Sequence, residues 1–432
     1  MSQDAKNSQT ASSSRNGEAA EDYPLTEVPV SARAGLLSLN AVLLGFTFFT
    51  ATMFGGGKVG VAFRLWPDLV LVGLAGNLLL GTYVAALGWI AYRSGLNAVL
   101  LGRFAFGDWG SKFQDALLGF TQIGWYAWGT ATIAIIFTEL LKLDPIWKTP
   151  LMLLFGFGFC VTAYIGYRGL DWLARISVPL MTGLILWSMG LAWHDAGGWS
   201  GLAAIVPTEP MTMAAAITII FGTFASGGTQ ATNWTRFARS GRAALVSSFV
   251  AFFLGNGLMI FSGAFGALVY QESDVVQVLA GQGILLGGLF LLFFNIWTTQ
   301  DNTIYNFSVA GCNLLRTERR RRFTLGGAAL GTVIALLGMY DWLEPYLLFL
   351  GTAIPPLGGA IMADFWFRRR REGYPPIASA ILARWNVAGL LAYAGGVAAA
   401  ALSPGVAPLN GIVAAFLIYG LATMLARRPT RA

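Results

Sequence analysis

Twelve stretches of apolar sequence leave this chain little choice of fold. They lie at 36–57, 67–92, 113–140, 149–167, 173–193, 212–235, 243–270, 282–311, 323–340, 343–366, 385–402 and 408–426. Each is near or above the roughly 20 residues that carry an α-helix across a bilayer. Backbone in lipid must satisfy its own N–H and C=O groups, so such stretches form helices. Only 11% of the 432 residues are charged, whereas soluble domains carry about 25%. The expected fold is an all-α polytopic membrane protein with twelve transmembrane helices.

Charge then orients the chain. With the termini on one side, 24 of the 28 Lys and Arg fall on that side, leaving Lys58, Arg64, Lys142 and Lys148 opposite. The positive-inside rule places both termini in the cytoplasm, and the net charge of +7 needs no nucleic acid partner. The runs Arg319–Arg322 and Arg368–Arg371 read as topology determinants, with contact to anionic membrane lipid as a second reading. Residues 1–32 are polar, carry no signal-peptide core and are expected to form a disordered cytoplasmic tail. Cys160 and Cys312 sit in apolar surroundings and read as packing residues, while the lone His194 lies in a polar loop. No nucleophile with its base and no metal motif suggests an enzyme, and no obligate protein partner is evident.

Two of the stretches carry similar interruptions: Phe48-Phe49-Thr50-Ala51-Thr52-Met53-Phe54-Gly55-Gly56-Gly57 and Thr223-Phe224-Ala225-Ser226-Gly227-Gly228-Thr229. Unwound backbone at membrane depth survives where it lines a cavity. Matched breaks in two halves point to the substrate site of a secondary transporter. The expected breakers are Gly55–Gly57 and Gly227–Gly228, with tight helix packing as the alternative reading. Residues 33–210 would form a first repeat of five helices and 211–372 a second, inverted one. Residues 373–432 would add two helices and a short cytoplasmic end.

Polar residues cluster at these depths. In the run 295–302, Asn295 is followed at three and four positions by Thr298 and Thr299, which stack on one helical face. With the carbonyls of Phe49 and Thr52 beside the first break, the Asn295 carbonyl and the two hydroxyls offer five neutral oxygens suited to Na⁺. Ordinary interhelical hydrogen bonding is the competing account. Asp301, ionisable inside a membrane segment, reads as a proton site or gate, or as a structural hydrogen bond to Asn302 or a neighbouring helix. Gln122 and Trp125 share a face, and Trp125 with Phe224 could sandwich a flat ring while the Gln122 amide meets its edge. Ser226 and the backbone at Gly222 and Thr223 add polar groups. No Lys or Arg lies at that depth, so the ring would be uncharged.

The segments LGFTFFTATM (44–53), GNLLLGTYVAALG (76–88), TQIGW (121–125), FGTFASGGT (221–229), AFFLGN (251–256), NIWTTQDN (295–302) and AIPPLGGAIMADF (353–365) resemble, in order and spacing, the nucleobase–cation symporter family, bacterial cytosine permeases in particular. The resemblance runs from about Ser31 to Arg427. It implies a LeuT-like amino acid–polyamine–cation transporter fold, a five-plus-five inverted repeat with two further helices. It also implies alternating-access uptake of a nucleobase, with cytosine expected, coupled to sodium and needing no other cofactor. A purine, allantoin, hydantoin or hydroxymethylpyrimidine with proton coupling is the alternative. The implied metal ligands are Phe49, Thr52, Asn295, Thr298 and Thr299. The implied substrate residues are Gln122, Trp125, Gly222, Thr223, Phe224, Ser226 and Gln300. Thr223 stands where such permeases more usually have serine, and Gln300 where they have asparagine. The implied location is the bacterial cytoplasmic membrane.

Overall fold

The computed structural model describes residues 23–165 and 167–426. Among the described residues the apolar stretches are mostly helical, and the only β pairing is a bridge between Ala34 and Ala238. The first helices are α1 (Leu36–Thr47), α2 (Thr50–Gly60), α3 (Val70–Ser94), α4 (Ala98–Phe106), α5 (Ser111–Leu140), α6 (Lys148–Gly158), α7 (Cys160–Ile165), α8 (Tyr167–Asp195) and α9 (Gly198–Ala204). Then come α10 (Met213–Gly222), α11 (Ala225–Gln230), α12 (Thr232–Thr235), α13 (Gly241–Phe249), α14 (Asn256–Tyr270), α15 (Val275–Gly281) and α16 (Leu285–Leu315). The chain ends with α17 (Arg320–Leu336), α18 (Leu343–Ala353), α19 (Pro355–Asp364), α20 (Val387–Leu402) and α21 (Ala407–Ala426). Leu65–Ser94, Pro145–Ile165, Gly241–Tyr270, Met339–Arg369 and Ala407–Ala426 are each long and apolar enough to cross a bilayer, and α1 with α2 make a sixth span bent by 55°. α3 is apolar all round, exposing Leu71, Leu74 and Leu78 while burying Val72, Leu80 and Tyr83. That is the pattern of a helix with lipid on one side and protein on the other.

The first bent span parts at Phe48–Phe49, where Phe48 has φ −75° and ψ 80° and Phe49 is extended at φ −124° and ψ 126°. The run Thr47-Phe48-Phe49-Thr50 accounts for it. Aromatic and β-branched side chains lose rotamer freedom in a helix, and the Thr47 hydroxyl donates back to the Leu44 carbonyl at 3.2 Å. The second break falls at Thr223–Phe224, with Phe224 at φ −131° and ψ 21° and the Thr223 hydroxyl donating to the Ile220 carbonyl at 2.7 Å.

The glycines expected to cause these breaks do not. Gly55–Gly57 lie inside α2 and Gly227–Gly228 inside α11. A Cβ at Gly56 would overlap the Ile260 carbonyl of α14, and one at Gly60 the Ala264 carbonyl. Gly263 lies as tightly against the Met53 carbonyl. Backbone meets backbone along α2 and α14, which only glycine permits. Gly227 and Gly228 instead make room for the side chains of Phe46 and Val84.

One end of the molecule collects the arginines. There Arg103 and Arg316 share Asp108 at 2.7 and 2.9 Å. The segment Tyr23–Ala34, most of it expected in a loose tail, packs on this end. The Val28 amide donates to Gly95 at 3.0 Å, Glu27 accepts from the Ile377 amide, and Arg236 donates to the Tyr23 carbonyl at 2.8 Å. The Ala34 amide donates to Phe237 at 2.6 Å and the Arg239 amide to Ala34 at 3.0 Å. Residues 1–22, 166 and 427–432, with their part of the tail and Arg427, Arg428 and Arg431, lie outside the described residues, as do the side chains of Arg168 and Arg175. At the same end the buried Asp364 accepts hydrogen bonds from Tyr419 at 2.7 Å and Tyr374 at 3.0 Å, tying α21 to α19.

Candidate functional site

Asn295, on the central helix α16, is the hub of the first break. Its side-chain amide donates to the Phe48 carbonyl, and its side-chain oxygen accepts from the Thr50 hydroxyl at 2.6 Å. The carbonyl freed by unwinding is thus caught by a side chain from across the bundle, as backbone in lipid requires. The backbone carbonyl of Asn295 accepts from Thr298 at 2.7 Å and Thr299 at 3.1 Å. The two hydroxyls and the carbonyl expected to converge therefore do, within a turn of the break. The Phe49 carbonyl at the break accepts from the Thr52 amide at 3.0 Å.

Asn256 on α14 had no expected role, yet it joins the two breaks. Its side-chain oxygen accepts from Thr52 at 3.2 Å and Thr223 at 3.4 Å, and its amide donates to Asn77 at 2.8 Å. The signal available was one amide at the start of a long apolar helix, which needs partners when buried.

Around this crossing stand the aromatic residues. Trp125 and Phe224 are each only 2% exposed, so neither faces lipid. They do not touch face to face. The Phe49 ring stands between them, edge-on, with centroids 5.2 Å from Trp125 and 6.1 Å from Phe224. Tyr346 covers another side of Trp125 at 5.2 Å, its hydroxyl donating to the Thr121 carbonyl. The Gln122 amide donates to Ser226 at 3.2 Å and joins α5 to α11. Gln300 is fastened to α5, donating to the Tyr126 carbonyl at 2.6 Å and the Thr130 hydroxyl at 3.1 Å. Its oxygen lies against Gly129, which shares a face of α5 with Gln122 and Trp125. The amide oxygens of Gln122 and Gln300 are both buried without a donor. Gly222 packs beneath the Leu347 carbonyl, where a Cβ would not fit. On the side away from the arginines, Trp128 stacks on Tyr340 at 6.1 Å, with Phe54 edge-on to Trp128 at 5.3 Å.

Asp301 is fully buried, and it faces the neighbouring helix α7 rather than Asn302. Thr162, the Ala163 amide and Arg320 form its polar surroundings, while Asn302 donates instead to the Thr298 carbonyl at 2.7 Å. Lys58 lies half-buried in the last turn of α2. No group of three or more His, Cys, Asp or Glu among the described residues could hold a metal ion.

Two broken spans crossing at a buried, uncharged, aromatic-walled centre in a helical bundle define an integral membrane transporter rather than an enzyme. A family model described as a permease for cytosine/purines, uracil, thiamine and allantoin matches residues 27–422. The cytosine permease of Escherichia coli (strain K12) is 38% identical over 405 residues, covering 94% of this chain and 95% of that protein. The chain belongs to this permease family. The hydantoin permease of Microbacterium maritypicum is 24% identical, over 89% of this chain and 85% of its own. In fold the chain is similar to Mhp1, a nucleobase-cation-symport-1 family transporter solved in a closed conformation with bromovinylhydantoin bound. The TM-score is 0.81 at 18% identity, over 93% of this chain and 94% of Mhp1.

Proposed function

We propose that this protein imports a neutral nucleobase, cytosine by preference, in symport with Na⁺. The ion would take the carbonyls of Phe49, Thr52 and Asn295 and the hydroxyls of Thr298 and Thr299. The base would lie between Trp125 and Phe224, with the Phe49 ring moving aside. Gln122, Gly222, Thr223, Ser226 and Gln300 would meet its edge. The observation that carries this reading is the pair of donor-less amide oxygens, Gln122 Oε1 and Gln300 Oε1, on the Trp125 face of α5. Buried acceptors call for donors, and cytosine offers a ring N–H and an exocyclic amine. The cytosine permease relative supports the same base.

Sodium ligated to both α2 and α16 favours whichever state brings those helices together, and it can drive transport only through that difference. Twelve spans in two inverted repeats of five, plus two, agree with a broken helix opening each half. The arginine-rich end is taken as cytoplasmic, in a bacterial inner membrane with both termini inside. Uptake of labelled cytosine into proteoliposomes, with and without a sodium gradient, tests the reading. Saturable, sodium-stimulated uptake is expected, lost in Trp125→Ala. Uptake driven by a proton gradient alone would overturn the sodium site. Preference for a purine, allantoin, hydantoin or hydroxymethylpyrimidine in competition would overturn the choice of base.

A further inference from the structure

Below the site, toward the arginine-rich end, the bundle is polar where a packed bundle would be apolar. Four hydrogen-bonded rungs cross between α5, α11–α12 and α16. Gln122 donates to Ser226 at 3.2 Å. One level down, Gln230 donates to the Leu118 carbonyl at 3.5 Å. Next, Asn233 donates to Asn306 at 2.8 Å. Last, Asn313 donates to Asp115 at 2.6 Å, close to where Arg316 meets Asp108 at the surface. The residues keep one face on each element: 115, 118 and 122 on α5; 226, 230 and 233 on α11–α12; 302, 306 and 313 on α16. At 1.5 Å per residue the column is about 10 to 17 Å long. None of its side chains is more than 3% exposed.

Each level also keeps at least one polar atom without a partner: Gln122 Oε1, Gln230 Oε1, Asn302 Oδ1 with Asn306 Nδ2, and Asp115 Oδ1. Native interiors rarely leave such groups unpaired, and a recurring set along one line calls for an explanation. On the other side of the site the closure is aromatic, made by Phe54, Trp128 and Tyr340. The two ends of the route are therefore built from different chemistry.

We propose that this column is the closed inward path of the base, with the Asn233–Asn306 hydrogen bond as its latch and the amides of Gln230, Asn233 and Asn306 as a transit subsite. The class of ligand is a neutral heterocycle whose edge presents amide-like donors and acceptors. Opening separates the rungs, and water or the passing base takes up the unpaired atoms. This rests on the function proposed above, in that a base must occupy the site before it leaves by this route.

The test begins in a chain freed of its native thiols by Cys160→Ala and Cys312→Ala. Asn306→Cys is placed in the column, and Ser308→Cys on the opposite face of α16 at nearly the same depth, where Ser308 is also fully buried. A membrane-impermeant, positively charged methanethiosulfonate is applied to inside-out and right-side-out vesicles. Modification of Asn306→Cys from the cytoplasmic side, at least tenfold faster than of Ser308→Cys, is expected. Equal rates at the two positions, or modification from the outer side alone, would overturn the path. Separately, Asn233→Leu with Asn306→Leu should bind cytosine within twofold of wild type yet transport it at least tenfold more slowly. Wild-type transport by that variant would remove the latch. Labelling needs no substrate, so a wild-type protein that binds no nucleobase would defeat the proposed function and still leave the path decided by the thiol rates.

Discussion

At the scale of single residues, the centre works because neutral groups answer one another across helices. Thr298 and Thr299 meet the Asn295 carbonyl, and their spacing made that legible in advance, since a helix forces residues three and four apart onto one face. Thr298→Ala with Thr299→Ala should raise the sodium concentration for half-maximal uptake by about tenfold, the effect of losing roughly 1.4 kcal/mol of ligation. Unchanged sodium stimulation would count against the ion site. Asn256 was not legible as a bridge, because one amide at the head of an apolar helix names no partner. Asn256→Ala strips Thr52 of its acceptor and Asn77 of its donor. Each stranded buried group costs about 1–3 kcal/mol, so thermal unfolding in detergent should show a lowered Tm, with cytosine binding weakened in parallel. Phe49 as the ring between Trp125 and Phe224 was hidden too: its backbone was the feature that spacing pointed to, and side-chain direction at an unwound residue follows no helical period.

At the scale of elements, the two interrupted spans were readable and the cause of the interruption was not. Hydropathy and the Gly-rich runs marked the right segments. The unwinding itself sits several residues earlier, at aromatic and threonine residues with poor helix propensity. The glycines serve contact: α2 and α14 approach until carbonyls fill the space a side chain would take. Sequence cannot separate those two uses of glycine, because the neighbour that decides between them lies some 200 residues away. Gly56→Ala is therefore expected to destabilise the protein by about 1–3 kcal/mol or more through overpacking. The measurement is a thermal melt, and Gly73→Ala is the control, since nothing lies within 4 Å of where its Cβ would stand. Equal melting of the two variants would refute the packing role.

At the scale of the whole molecule, the asymmetry of charge picked out one end, and the structure shows that end stitched together. The segment Tyr23–Ala34 reaches the end of α3, the turn after α12 and the loop before α20. Its polar composition suggested a loose tail, because short-range sequence carries no trace of hydrogen bonds made to turns far along the chain. Ala34→Pro removes the amide that donates to Phe237. Hydrogen–deuterium exchange in the peptide covering 236–240 should then speed up by about tenfold, which corresponds to ~1.4 kcal/mol of lost local protection. Exchange at the wild-type rate would show that the clasp holds without this bond.

The tyrosine clasp on Asp364 carries a consequence for how the protein can be cut or have evolved. Tyr419 comes from the last helix, and with Tyr374 it supplies the hydroxyls that make a carboxyl tolerable deep beside α19. A chain cut before α20 would keep the Asp364 carboxyl and lose Tyr419, leaving Arg368 at 3.9 Å as its nearby countercharge. The closing pair of helices thus shields this acid, and a shortened version of this permease would bare Asp364 unless that residue changed as well.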